Sequence, residues 1–118
     1  MKHKDDLVKY FQVFSDKNID TLSEMFSDDV ELRDWNIFAS GKKNVVDANR
    51  GIFDSVNTIN VTPVQFYSNS ETSYAVQISI LVNGEENLDV IDVIEFNNDG
   101  LIKSINAFKL EDWDGNSK

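Results

Sequence analysis

Val90-Ile91-Asp92-Val93-Ile94-Glu95-Phe96, followed by Asn97-Asn98-Asp99-Gly100, is the stretch on which the reading of this chain turns. β-Branched and aromatic residues dominate it, and a glycine-containing turn closes it, so it reads as a strand. Side chains alternate faces along a strand, which puts Val90, Asp92, Ile94 and Phe96 on one side. Ile94 and Phe96 mark that side as the buried one. A carboxylate in an apolar row is costly unless it is paired, hydrogen-bonded or protonated. The rest of the chain is therefore read for what surrounds the Asp92 carboxyl.

Working back from this strand, Asn83-Gly84 is the strongest hairpin signal in the sequence. It joins Leu88–Phe96 to Ser73–Val82, where Tyr74, Val76, Ile78, Ile80 and Val82 alternate with Ala75, Gln77, Ser79 and Leu81. Ser68-Asn69-Ser70-Glu71 is a turn, and Ile59 to Tyr67 is the strand before it. Pro63 within that strand predicts a sheet edge or a bulge. Forward of Gly100, Leu101 to Leu110 is the last strand, and Glu111 to Lys118 is a polar tail containing Trp113.

The first half is mostly helical. Leu7, Phe11 and Phe14 repeat at helical spacing from Asp5 to about Ser15, with Val8, Tyr10 and Val13 widening the apolar face. Asp5 and Asp6 suit the N-terminus of this helix through its dipole. Tyr10 lies one turn from both Leu7 and Phe14, so its ring points partly inward. After the break Asp16-Lys17-Asn18, Asn18 caps a short second helix carrying Ile19, Leu22, Met25 and Phe26. Ser27-Asp28-Asp29 reads as a turn. Val30 to Trp35 then alternates like a strand, with Val30, Leu32 and Asp34 on one face, a second aspartate in line with apolar residues. Asn36 to Ser40 reads as a loop. Gly41 leads into a third helix, about Lys42 to Val56, with Val45, Ala48, Ile52 and Val56 on one side. Gly51 inside it costs about 1 kcal/mol relative to alanine.

Consecutive strands joined by short turns predict an antiparallel sheet, and three helices before it must cover one face. The expected fold is α+β: a curved antiparallel sheet wrapped around N-terminal helices, in a single domain over residues 1–118. Tyr10, Asp34 and Asp92 carry polar atoms on faces read as buried, and this packing lets them converge in the interior.

Composition narrows the function classes. A chain of 118 residues has the size of one domain and buries roughly two-thirds of its unfolded surface. No run approaches the ~18 apolar residues of a membrane span, and Met1 to Asp6 lacks the apolar segment of a secretory signal. Cysteine is absent, which removes disulfides and thiolate chemistry and fits a reducing cytoplasm. The net charge of −10 argues against nucleic acid and anionic membrane surfaces as partners. The one histidine, His3, falls near a terminus read as mobile and receives no catalytic or metal role, so histidine metal clusters and Ser-His-Asp catalysis are excluded by count. The acidic pairs Asp28-Asp29, Glu85-Glu86 and Glu111-Asp112 lack metal-ligand spacing and read as solvated surface. Neither metal nor cofactor is expected.

Several segments together carry a resemblance: Leu7-Val8-Lys9-Tyr10-Phe11, Asn18-Ile19-Asp20-Thr21-Leu22, Met25-Phe26-Ser27-Asp28-Asp29-Val30, and Ile91 through Gly100. The chain resembles the NTF2-like superfamily, the cone-shaped α+β fold of SnoaL-like proteins and ketosteroid isomerases, over about Leu7 to Lys109. Steroid isomerases of that superfamily use a tyrosine on the first helix, an aspartate on the first strand and an aspartate on the penultimate strand. Tyr10, Asp34 and Asp92 match those positions. The resemblance implies that Asp34 is the general base, and that Tyr10 and a protonated Asp92 donate hydrogen bonds to an enolate oxygen. It implies an apolar, carbonyl-containing small molecule as ligand, with Trp35, Phe38, Phe14 and Phe108 assigned to its pocket. It also implies a homodimer paired through the outer sheet face. Trp35 departs from the proline that the isomerases carry after the first-strand aspartate. Arg33 points away from Asp34 along the strand, which goes against the internal Asp-Arg-Asp cluster of epoxide hydrolases of this fold.

Each candidate has a structural alternative. Tyr10 also suits an amphipathic core residue, Asp34 a cap for the loop after its strand, and Asp92 a structural carboxyl bonded to Tyr10 or to buried backbone. Two function classes stay open on the sequence: a cofactor-independent isomerase or cyclase, and a non-catalytic domain that binds a small ligand or serves as a dimeric module.

Overall fold

The computed structural model describes residues 1–110. The elements run α1 (Lys4–Ser15), α2 (Ile19–Glu24), β1 (Phe26–Arg33), β2 (Phe38–Ser40), α3 (Lys42–Ser55), β3 (Ile59–Ser68), β4 (Ser73–Val82), β5 (Glu86–Phe96) and β6 (Ile102–Lys109). All six strands join one curved, unclosed sheet in the order β2-β1-β6-β5-β4-β3. The helices lie against its inner face, so the α+β expectation holds. No described helix is long and apolar enough to cross a membrane. Trp113 and the tail lie outside the described residues.

Local chemistry explains most boundaries. The Asn18 side chain caps α2 by accepting a hydrogen bond from the Thr21 N–H at 3.2 Å. Asn83 (φ 55°) and Gly84 (φ 69°) both occupy the left-handed region, in the three-residue turn Asn83–Glu85 that joins the Val82–Glu86 pair of β4 and β5. Asn83 also ties the hairpin to the α3–β3 connection, because its Oδ1 accepts from the Asn57 and Thr58 N–H groups at 2.7 and 3.1 Å. Pro63 has both predicted features: β3 is an edge strand, and its pairing with β4 slips between Pro63 and Gln65. The core between helices and sheet is built from Leu7, Phe11, Leu22, Val45, Val76 and Ile94 among others. Each such side chain contributes about 1.5–3 kcal/mol on burial.

The structure corrects several readings. Ser27-Asp28-Asp29 is part of β1 rather than a turn, and the β1–β6 register shifts between Phe26 and Glu31 to take up the polar run. Phe38–Ser40 is the short strand β2 rather than loop, hydrogen-bonded back onto β1. The sheet is mixed, since β1 pairs parallel with β6. That pairing joins residues some 70 positions apart, beyond the reach of any local pattern. Val8, expected in the apolar stripe of α1, is 45% exposed, so the stripe is narrower.

His3 is not on a mobile terminus. It is buried, and its ring stacks on Phe96 with centroids 4.2 Å apart. Its Nδ1 lies 2.7 Å from an Asp6 carboxylate oxygen, and its backbone N–H donates to the Tyr74 hydroxyl at 3.1 Å. The start of α1 is thereby fastened over the start of β4 and the end of β5.

Candidate functional site

Helix α1 turns Tyr10 into the core, where its ring meets Phe11, Phe14 and Phe26. Strand β5 turns Asp92 to the inner face, between Val90 and Ile94, with Val76 and Ala107 beside it on the neighbouring strands. Asp34 follows directly on β1. All three side chains line one cavity of about 240 Å³. The remaining walls are mostly branched aliphatic, among them Ile78, Ile80, Val90 and Ile105, with Phe14 and Trp35.

Among the described residues neither the Tyr10 hydroxyl nor the Asp92 carboxyl has a hydrogen-bond partner, although both residues are buried. Among the described residues no fully enclosed side-chain polar atom is left without a partner. The oxygens of Tyr10 and Asp92 are therefore open to the cavity rather than sealed in packing. The structural alternative of an Asp92 bonded to Tyr10 is not what the structure contains.

Burial pushes the Asp92 carboxyl up from 3.8 to about 7, and the charge of Asp34 adds to the shift. Burial, with Asp92 as the lesser cause, also pushes the Tyr10 phenol above its ordinary range, so it stays protonated. Up to about neutral pH the cavity thus holds two O–H donors, Tyr10 and Asp92, beside Asp34.

Asp34 does two things at once. Its Oδ1 accepts from the Asn36 and Ile37 N–H groups, both at 2.7 Å, and its own N–H donates to the Ile37 carbonyl at 2.9 Å. It caps the loop after its strand, and it lines the cavity. Both backbone donors sit on Oδ1, which leaves Oδ2 to reach a ligand. The carboxylate is held in orientation by the loop it caps.

Of the four assigned lining residues, Phe14 and Trp35 line the cavity. Phe38 and Phe108 do not. Each is 57% exposed on the outer side of the sheet. Phe38 sits in β2 under the Arg33 guanidinium, 4.4 Å from the ring centroid. Phe108 is paired with Ile91, whose side chain points outward, while Ala107 beside it faces the cavity. Arg33 is exposed and lies outside the cavity wall. Among the described residues no three His, Cys, Asp or Glu side chains cluster as metal ligands.

The family profile of the SnoaL-like domain matches residues 7–105, most of the sequence. The chain belongs to the SnoaL-like domain family. No curated protein matches it in sequence. Solved structures share the fold of this SnoaL-like chain at low identity. A protein of Kribbella flavida provisionally named a ketosteroid isomerase superposes with a TM-score of 0.78 at 17% identity, covering 95% of this chain and 80% of that one. A provisionally named polyketide cyclase from Sinorhizobium meliloti gives 0.74 at 15% identity, over 83% and 88% of the two chains. An NTF2-like protein of unknown function from Cytophaga hutchinsonii gives 0.73 at 8% identity, over 88% and 86%. The NTF2-like fold read from the sequence is the fold these proteins share.

One residue of this SnoaL-like cavity was not singled out from sequence. Asn49, on α3, is 2% exposed and lines the cavity. The signal was present: Asn49 falls four residues after Val45 and three before Ile52, on the apolar side of the helix.

Proposed function

We propose that this chain is a cofactor-independent enzyme of the ketosteroid-isomerase type, which abstracts and returns a proton next to the carbonyl of a small apolar substrate. The observation that carries this reading is the pairing of two buried, unpartnered O–H donors, Tyr10 and Asp92, with the Asp34 carboxylate in one apolar cavity. Asp34 Oδ2 takes the proton from the α-carbon. Tyr10 and neutral Asp92 donate to the oxygen that becomes an enolate, and the proton returns at the α- or γ-carbon. Nothing in this sequence of steps calls for a metal or cofactor.

The cavity lies below the roughly 300–1,000 Å³ usual for drug-sized ligands. That favours a substrate of one or two rings over a four-ring steroid. The test is turnover of 3-cyclohexen-1-one and of a 3-oxo-Δ5-steroid to their conjugated isomers, by wild type and Asp34→Asn. Turnover of the smaller enone that collapses in the variant supports the reading. No turnover of either ketone, and no exchange of their α-protons with deuterated water, overturns it.

The loop-capping role of Asp34 favours a second reading, a non-catalytic domain that binds a small ligand, since that role alone accounts for the residue. In either case the protein is proposed to act in the cytoplasm as a homodimer, without nucleic-acid or membrane partners. The outer sheet face supports the dimer: Val64, Tyr67 and Phe108 are exposed there. A monomeric mass by light scattering at micromolar concentration would count against it.

A further inference from the structure

The Asn49 carboxamide is the polar group on the α3 side of the cavity, where Ile52 also lines it. Its Nδ2 donates to the Val45 carbonyl at 2.9 Å, one turn back along α3. That bond sets the orientation of the amide, because a flipped carboxamide would press oxygen against oxygen. The atom left over is Oδ1, an acceptor. Among the described residues it has no hydrogen-bond partner, yet none of their fully enclosed side-chain polar atoms lacks one. With the residue 2% exposed and lining the cavity, Oδ1 opens onto the ligand space. Asparagine is a poor helix former, and a buried amide with an unused acceptor is costly, so packing and propensity alone would favour leucine at this position.

The donors of the cavity are elsewhere. Neither Tyr10 nor Asp92 is hydrogen-bonded to Asn49. A carbonyl held by Tyr10 and Asp92 thus leaves Asn49 Oδ1 to a different atom of the ligand, and that atom must be a donor.

We infer that Asn49 is a specificity-determining residue, and that the ligand of this cavity carries a hydroxyl group separate from its carbonyl. This makes the ligand class a small hydroxy-ketone. The carbonyl half of that statement rests on the function proposed above, and the hydroxyl half does not.

The test is binding rather than turnover. Ligand-observed NMR titrations compare acetophenone, the 3- and 4-hydroxyacetophenones, and 3- and 4-ethylphenol on wild type and on Asn49→Leu. At least one hydroxyacetophenone binds wild type on the order of tenfold more tightly than acetophenone, the effect of satisfying one buried acceptor. The preference disappears in Asn49→Leu, while acetophenone binding is retained. Should Asn49→Leu fail to fold, as shown by its melting curve, Asn49→Ala, which likewise has no side-chain acceptor, is used with the same expectation. Equal binding of acetophenone and both hydroxyacetophenones by wild type overturns the inference, as does a hydroxyl preference that survives removal of Asn49. Asn49-dependent binding of an ethylphenol, with none gained from the carbonyl, keeps the hydroxyl subsite and removes the carbonyl reading. The two failures are therefore distinguishable.

Discussion

Asp34 and Asp92 face the same cavity from two elements, and the charge of the first helps keep the second protonated. Asp34 is half-buried and its Oδ1 is bonded to its own loop, so the side chain is fixed in orientation. Asp92 is buried with no partner, so it yields. The two carboxyl groups thus meet different surroundings, and those of Asp92 favour its protonated, hydrogen-bond-donating form.

The Asp92 carboxyl makes stability depend on pH. Its folded-state value, about 7, lies above the ordinary 3.8. Between those two values the folded protein holds a proton that the unfolded chain has released. Stability therefore falls as pH rises from about 4 to about 7, and the loss levels off above that. At most it amounts to about 4 kcal/mol. Asp92→Asn, neutral throughout, flattens this slope and is more stable than wild type at pH 8. Urea denaturation of both proteins at pH 5 and pH 8 measures the difference.

On the proposed function, the same group also sets the pH dependence of turnover. As Asp92 ionises, the cavity loses a donor, so kcat/KM of the wild type for a reactive enone declines above about pH 7. Asp92→Asn retains an N–H donor and loses that decline. Asp92→Ala removes the donor and lowers the rate by about 10²–10³ at all pH values. A pH–rate series on the three proteins checks this.

Tyr10→Phe separates function from packing. The phenyl ring keeps its contacts with Phe11, Phe14 and Phe26, and no protein hydrogen bond is lost. Stability changes little, by less than about 1 kcal/mol, while the rate falls by about 10²–10³. A thermal melt and a turnover assay on one preparation read both. A large drop in melting temperature would mean that the hydroxyl has a structural partner.

For Asp34 the choice of variant matters. Asparagine keeps an Oδ1 acceptor for the Asn36 and Ile37 N–H groups, whereas alanine strands both. Asp34→Asn is expected to melt near wild type and to be inactive. Asp34→Ala is expected to lose about 1–3 kcal/mol as well, because its loop backbone is no longer satisfied. Chemical denaturation of the two variants distinguishes the capping role from the role in the cavity.

The β4–β5 turn offers a check on the fold alone. Asn83→Gly keeps the left-handed backbone but gives up both side-chain bonds to the α3–β3 connection; Asn83→Val gives up the same two and is strained at φ 55°. The valine variant is expected to be the less stable of the two, by about 1 kcal/mol or more. Equilibrium denaturation ranks them.

Much of this protein is determined by sequence because its signals are local. The period of two in β4 and β5, the 3.6 period of α1 and α3, the Asn18 cap and the Asn83-Gly84 turn each depend on residues within one turn or one pleat. The same periodicities place Tyr10 and Asp92 on inner faces, since a side chain's face follows from its neighbours in the chain. Only the tertiary structure decided that β1 runs parallel beside β6, that β2 forms on β1, and that Phe108 is outside while Ala107 is inside. It also decided that His3 is buried on Phe96 and that Asn49 keeps an unused acceptor. These outcomes depend on which strand is neighbour to which, and on what space remains once helices and sheet have closed on each other. Both are set by contacts between residues distant in sequence, and no local pattern records them.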